Sequence, residues 1–169
     1  MAQAYRIRIA HAADAAQIAR LSEELGHPVP DEEMGRRLGL LLASSAEVVF
    51  VADSEDQQLL GWVAVTTRLA LQVNAKAEIT GLVVGVAARR MGVGGALVAA
   101  SEDWAARGGF ESLAVRSNIR RTESHLFYRS ADFSLHKTQH VYRKRVGTPG
   151  AGQDPAVSDA FADACDHPP

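Results

Sequence analysis

The spacing of apolar residues changes several times along this chain, and each change predicts an element. Residues 5–9 alternate as a half-buried strand does. After His11 to Asp14, Ile18, Leu21 and Leu25 share one face of a helix that Gly26 stops. Pro28 and Pro30 break the path, Asp31 is placed as an N-cap, and Met34, Leu38, Leu41 and Leu42 mark a second helix. Residues 47–52 and 59–67 read as strands, and the polar run Asp53 to Gln57 between them predicts a hairpin.

The most informative stretch runs from Ala77 to Ala106. Ile79, Leu82, Val83, Val84 and Val86 form a run too apolar and β-branched for a surface segment. Gly81 and Gly85 interrupt it where a bulge or a close backbone approach would fit. Then the period changes, and Val93, Ala96, Leu97, Ala100 and Trp104 recur as one face of an amphipathic helix. The junction is Arg89-Arg90-Met91-Gly92-Val93-Gly94-Gly95. Glycines in a first helical turn bare the unpaired N–H groups, and with the helix dipole these make an anion site suited to phosphate. The two arginines add charge and forked donors. A turn that only packs would use the same glycines. Two familiar phosphate loops fail here: a Walker A loop needs Lys then Ser or Thr where Ala96 and Leu97 stand, and the dinucleotide fingerprint needs a small residue where Leu97 stands.

Further on, residues 111–116 predict a strand, 121–130 a helix, and 133–136 with 140–146 a last strand pair. The alternation implies an α/β sheet sandwiched by helices, in one domain over residues 1–146 without internal repeats. Composition shifts to Gly, Pro, Ala and Asp over residues 147–169, which predicts a mobile tail with at most a weak helix at 157–164.

Charge and cysteine content narrow the class. A net charge of -2 and a pI near 6.3 give no case for nucleic-acid binding. Cys165 is the single cysteine, so no internal disulfide can form and a cytoplasmic setting is expected; its surroundings do not mark it as a nucleophile. No signal peptide or membrane span is read, so no membrane association is expected. His136 and His140 have the spacing of a helical metal pair but lie in a strand-like region without an intervening Glu, so no metal is expected. No G-x-S-x-G elbow occurs, which disfavours a serine hydrolase.

Arg89, Gly92 and Gly94, after an apolar strand and before an amphipathic helix, resemble the pyrophosphate-binding motif R/Q-x-x-G-x-G/A of the GNAT superfamily of N-acetyltransferases. Ser117-Asn118-Ile119-Arg120-Arg121, then Phe127-Tyr128-Arg129-Ser130-Ala131-Asp132-Phe133, resemble its second signature, an Asn after a strand and an F-Y-x-x-x-G-F helix end. The resemblance spans most of residues 5–146 in the family's order. It implies a mixed, mostly antiparallel central sheet of six to seven strands, with a V-shaped splay between two central parallel strands and about four flanking helices. Acetyl-CoA would lie in that splay, where the central strand leaves the strand at 111–116. Val84 and Val86 would pair with pantetheine amides. The pyrophosphate would rest on Met91, Gly92, Val93, Gly94 and Gly95, flanked by Arg89, Arg90 and Ala96. Asn118 and Arg121 have a family precedent on the CoA side; a capping Asn and a solvated Arg are the plainer readings.

A primary amine would then attack the thioester directly, in a ternary complex. Tyr128, matched to the F-Y signature, is the expected acid for the leaving thiolate, against a Tyr that only packs or contacts CoA. Where relatives often carry an acid, this chain has Thr80 and Gly81. Glu78 is the nearest carboxylate, and strand alternation puts it on the face of Thr80 and Leu82, as base or as a solvated strand-end residue. The Val84 N–H is the expected oxyanion donor. Asp132 replaces the usual glycine and must tolerate a left-handed backbone; His125 packs or relays a proton.

For the acceptor, the resemblance assigns one pocket wall to the first two helices and their loop. That region holds Glu23, Glu24, Asp31, Glu32 and Glu33, offset by Arg36 and Arg37. Such a rim suits a small cationic amine, although charge runs on helices are usually solvated faces. A protein or peptide amine stays open, as does a non-catalytic acyl-CoA-binding module. A homodimer is allowed by analogy.

Overall fold

A computed structural model describes residues 5–144 and residue 146, which divide into two compact units after Ser117. The first holds β1 (Tyr5–Ile9), α1 (Ala15–Glu23), α2 (Asp31–Ala43), β2 (Glu47–Ser54), β3 (Leu59–Arg68), β4 (Lys76–Val84), α3 (Val93–Arg107) and β5 (Leu113–Val115). The second holds α4 (Thr122–Ser130). The fold is α/β, with one mixed sheet of five strands and four helices among the described residues.

Spatial order follows chain order, β1-β2-β3-β4-β5. The helices α1 and α2 separate β1 from β2, a tight turn joins β2 to β3 and a loop joins β3 to β4, and all three pairings are antiparallel, whereas α3 carries the chain back so that β5 lies parallel to β4. β2 is buried at every position from Val48 to Asp53, as a strand covered on both faces must be. Ile18 and Leu21 of α1 and Leu38 of α2 pack on Val49, Val51, Leu59 and Val83. Val93 and Leu97 of α3 are fully buried and approach β3 at Gly61, where a side chain would collide with the Val83 carbonyl.

Arg8 ties β1 to two other elements. Its guanidinium donates to Asp53 on β2 at 2.9 Å and to Asp14 before α1 at 2.8 Å and 2.9 Å. The hydrogen bonds from Arg8 hold both carboxyls below the usual carboxylate range, against the opposing effect of burial. Asp14 also accepts from the His11 amide at 2.7 Å.

Several expectations change. Asp31 is the first helical residue rather than the cap, which is Pro30, so Asp31, Glu32 and Glu33 all lie in the first turn, where the helix dipole favours carboxylates. The strand expected over 111–116 keeps only Leu113–Val115. Among the described residues five strands form, short of the six to seven expected: residues 133–136 and the described part of 140–146 adopt no strand, and Leu135, Val141, Tyr142 and Val146 are exposed. Alternating apolar residues give strand capacity, but a hairpin is marginal until something receives its apolar face. The tail expected over 147–169, with Cys165, lies outside the described residues.

Candidate active site

The β4 strand changes partners halfway along. Its parallel ladder with β5 is short, pairing Ala77, Glu78 and Ile79 with Leu113, Ala114 and Val115. Its antiparallel ladder with β3 continues to Val84 opposite Gly61. Where the first ladder ends, the second slips: Ile79 faces Val65 and Gly81 faces Ala64, leaving Thr80 as a bulged extra residue. The Thr80 hydroxyl donates to the Ala64 carbonyl at 3.3 Å. Gly81 leaves room for the Trp62 ring, whose atoms would stand 2.8 Å from any added Cβ.

The bulge overturns one expectation. Simple alternation groups Glu78 with Thr80 and Leu82, but the extra residue breaks the period, and Glu78 is buried whereas Thr80 is exposed. Glu78 is not a solvated strand end. One oxygen lies 2.8 Å from Arg116 and the other accepts from Arg68 at 3.2 Å, so the carboxylate spans β3, β4 and the chain just after β5. Neither arginine is evident from the sequence as its partner, because both pairings depend on strand register.

Past the bulge, the Gly85 amide donates to Leu60 of β3 at 2.9 Å. Successive strand amides point to opposite edges, which turns the Val84 amide the other way. The Val86 amide is held at 2.9 Å by a carboxylate oxygen of Glu24, from the end of α1. The reach of Glu24 was not legible in the sequence; the glycine at 85 is its only trace. A side chain there would stand 2.9 Å from Leu21 and 3.5 Å from the Glu24 carboxylate.

The turn into α3 has the backbone that an anion site requires. Arg90 and Gly92 adopt left-handed φ values of 63° and 79°, and Gly92 caps the helix. The first-turn amides, including those of Val93, Gly94 and Gly95, have no carbonyl one turn earlier to accept from them. Ala96 differs, since its N–H already closes the first helical bond onto Gly92 at 3.0 Å. Arg89, Arg90, Met91, Gly92 and Gly95 are exposed, while the Val93 side chain is buried and can offer only its amide.

In the second unit, Asn118 organises the approach to α4. Its side-chain oxygen accepts from the Arg120 amide at 2.9 Å, and its carbonyl meets the Arg121 amide at 3.0 Å and His125 Nε2 at 2.9 Å. These contacts fold the chain ahead of α4, whose N-cap is Arg121, and His125 takes part in them. Tyr128 is wedged edge-on between Phe127 and Phe133, with centroids 5.3 Å and 5.6 Å away. Burial pushes its phenol pKa up, against the opposing charge of Arg121. Asp132 takes the expected left-handed conformation at φ 61°. The Phe133 amide bonds back to the Tyr128 carbonyl at 2.9 Å and the Asp132 amide to Arg129 at 3.2 Å, a closed helix end without the usual glycine.

Similarity to known proteins agrees with this layout. No curated protein matches the chain. Among solved structures, the aminoglycoside 6'-N-acetyltransferase AAC(6')-Ih from Acinetobacter baumannii superposes with a TM-score of 0.76 at 18% identity, over 85% of this chain and 99% of that one. AAC(6')-Iy, an aminoglycoside N-acetyltransferase solved in complex with CoA, gives 0.77 at 19% identity over 86% and 98%. An aminoglycoside acetyltransferase from an uncultured soil metagenomic sample, in complex with trehalose, gives 0.72 at 24% identity over 85% and 97%. At such identities the likeness carries the fold. The model of the acetyltransferase (GNAT) family matches residues 14–133, most of the chain, from the Arg8-bound Asp14 to the aromatic that closes α4. With a short parallel ladder, a bulged central strand and a glycine-capped helix in that order, the chain belongs to the GNAT family of acetyltransferases.

Proposed function

We propose that the protein transfers the acetyl group of acetyl-CoA to the primary amine of a small cationic molecule. The observation that carries this reading is the run of β4 from Thr80 to Val84 beyond the end of its parallel ladder, leading straight into the Gly92 turn. Backbone amides at Val84 and Val86 suit pantetheine, and those of Gly92 to Gly95 suit the pyrophosphate, with Arg89 and Arg90 beside them. The amine nitrogen attacks the thioester carbonyl carbon, the carbon–sulfur bond breaks, the thiolate takes a proton from Tyr128, and the proton then shed by the acetylated nitrogen restores the phenol through solvent. Glu78, held by Arg68 and Arg116, receives the proton of the ammonium directly or through water. The Val84 amide stabilises the oxyanion. The role of Tyr128 rests on the motif match and on a phenol, which is protonated at neutral pH and whose pKa burial raises further.

Charge on the first two helices supports a cationic acceptor. Arg36 and Arg37 both pair with Glu33, at 2.7 Å each, and bring its carboxyl down to about 2, Arg36 having the larger effect. These arginines are thus committed to Glu33, while Glu23, Glu24, Asp31 and Glu32 add further negative charge to the same helices. The relatives named above carry aminoglycoside in their descriptions, which makes that class the first to try.

The deciding experiment measures free CoA thiol released from acetyl-CoA with kanamycin, spermidine, free amino acids and short peptides. Release that depends on kanamycin or spermidine is expected. Release with peptides alone would overturn the acceptor class, and failure to bind acetyl-CoA would overturn the cleft.

A further inference from the structure

Glu24 is exposed, yet its carboxylate has a defined backbone partner. α1 is closed behind it by Gly26 at φ 79°, with the Gly26 amide on Glu23 and the His27 amide on Ser22, so the backbone at Glu24 is fixed rather than frayed. From there the side chain bridges 62 residues of sequence to the Val86 amide, across a gap that exists because residue 85 has no side chain. A carboxylate accepting from a backbone N–H makes a charge-assisted bond, stronger than an amide carbonyl would make. The occupied donor is one of the two assigned above to pantetheine.

We infer that Glu24 is a positioning residue that links acceptor recognition to cosubstrate binding, an inference that rests on the cleft assignment of the preceding section. The carboxylate of Glu24 and pantetheine compete for the Val86 amide. When pantetheine takes that amide, a neutral carbonyl replaces the carboxylate, which is released with its charge unneutralised. A cationic amine is the partner that satisfies it, so the acidic wall completes itself only after acetyl-CoA is bound. The linkage is reciprocal: acceptor bound to the released carboxylate disfavours its return and tightens cosubstrate binding.

Calorimetry on the full chain tests both halves. Glu24→Ala removes the competitor and should tighten acetyl-CoA binding about 3- to 10-fold, the scale of one hydrogen bond's net contribution. Glu23→Ala, which removes the same charge from the neighbouring position, should leave it unchanged. Unchanged or weaker binding in Glu24→Ala overturns the inference, as does equal tightening in both variants, which would mean general charge repulsion. For the second half, kanamycin should bind the CoA-loaded wild type more tightly than the free protein, and Glu24→Ala should remove that difference. Kanamycin binding insensitive to CoA, or a difference that persists in Glu24→Ala, overturns the link. A wild type that binds no acetyl-CoA refutes the cleft assignment instead, so the two failures are distinguishable.

Discussion

Glu78 on β4 and Arg116 just beyond β5 meet at 2.8 Å across the three-residue parallel ladder, at the end where the two strands are still paired. A buried carboxylate in that position both fixes the strands and stands two residues before the bulge. The two roles separate experimentally. Glu78→Gln should lower turnover by about 10²-fold and alter the pH–rate profile, as removal of a proton acceptor does. Arg116→Met, which loosens the ladder but keeps the carboxylate, should mainly reduce stability. Matching kinetics in the two variants would leave Glu78 only its structural part.

Tyr128 makes a second case. Its ring is held by Phe127 and Phe133 whether or not the hydroxyl is present. Tyr128→Phe should therefore fold normally and retain acetyl-CoA affinity while turnover drops about 10²-fold or more. Turnover at the wild-type level would assign the residue to packing.

Gly95 separates stability from binding. An added Cβ there meets nothing within 4 Å, and alanine in a helix is favoured over glycine by about 1 kcal/mol. Gly95→Ala should unfold at an equal or higher urea concentration. The same methyl stands over first-turn amides assigned to pyrophosphate, so acetyl-CoA affinity should fall. If calorimetry finds affinity unchanged, the anion does not rest on this turn.

The Arg8 network predicts a pH dependence of folding. Asp14 and Asp53 have carboxyl pKa values depressed in the folded state, chiefly by hydrogen bonds from Arg8. Such groups add stability above the unfolded carboxylate value of about 3.9, and that stability is lost as pH falls through the folded values. Arg8→Met leaves buried carboxylates short of a partner and should cost about 3 kcal/mol at neutral pH. The gap from wild type should narrow as pH drops below about 4, because protonation removes the Arg8 pairing that only the wild type has. Urea unfolding at pH 7 and at acid pH measures it; a constant gap would contradict the ion-pair account.

What the sequence determined by itself was whatever depends on residues close in the chain. Strand β4, the change of period into α3, the glycine turn and the Phe127-Tyr128 helix end were all legible, because alternation, helical spacing and left-handed glycines are local properties. Even Asp132 behaved as a short polar side chain allows. Tertiary structure decided the rest. Whether Thr80 or a glycine carries the bulge depends on how β4 registers against β3, and that one-residue slip is what takes Glu78 off the face of Leu82. Arg68 and Arg116 became its partners only when β3, β4 and β5 were laid side by side. The approach of Glu24 to Val86 joins a helix end to a strand end 62 residues away. The absence of a strand at 133–136 and in the described part of 140–146 has the same reason: alternation supplies an apolar face, but a strand exists only where a neighbour receives its hydrogen bonds.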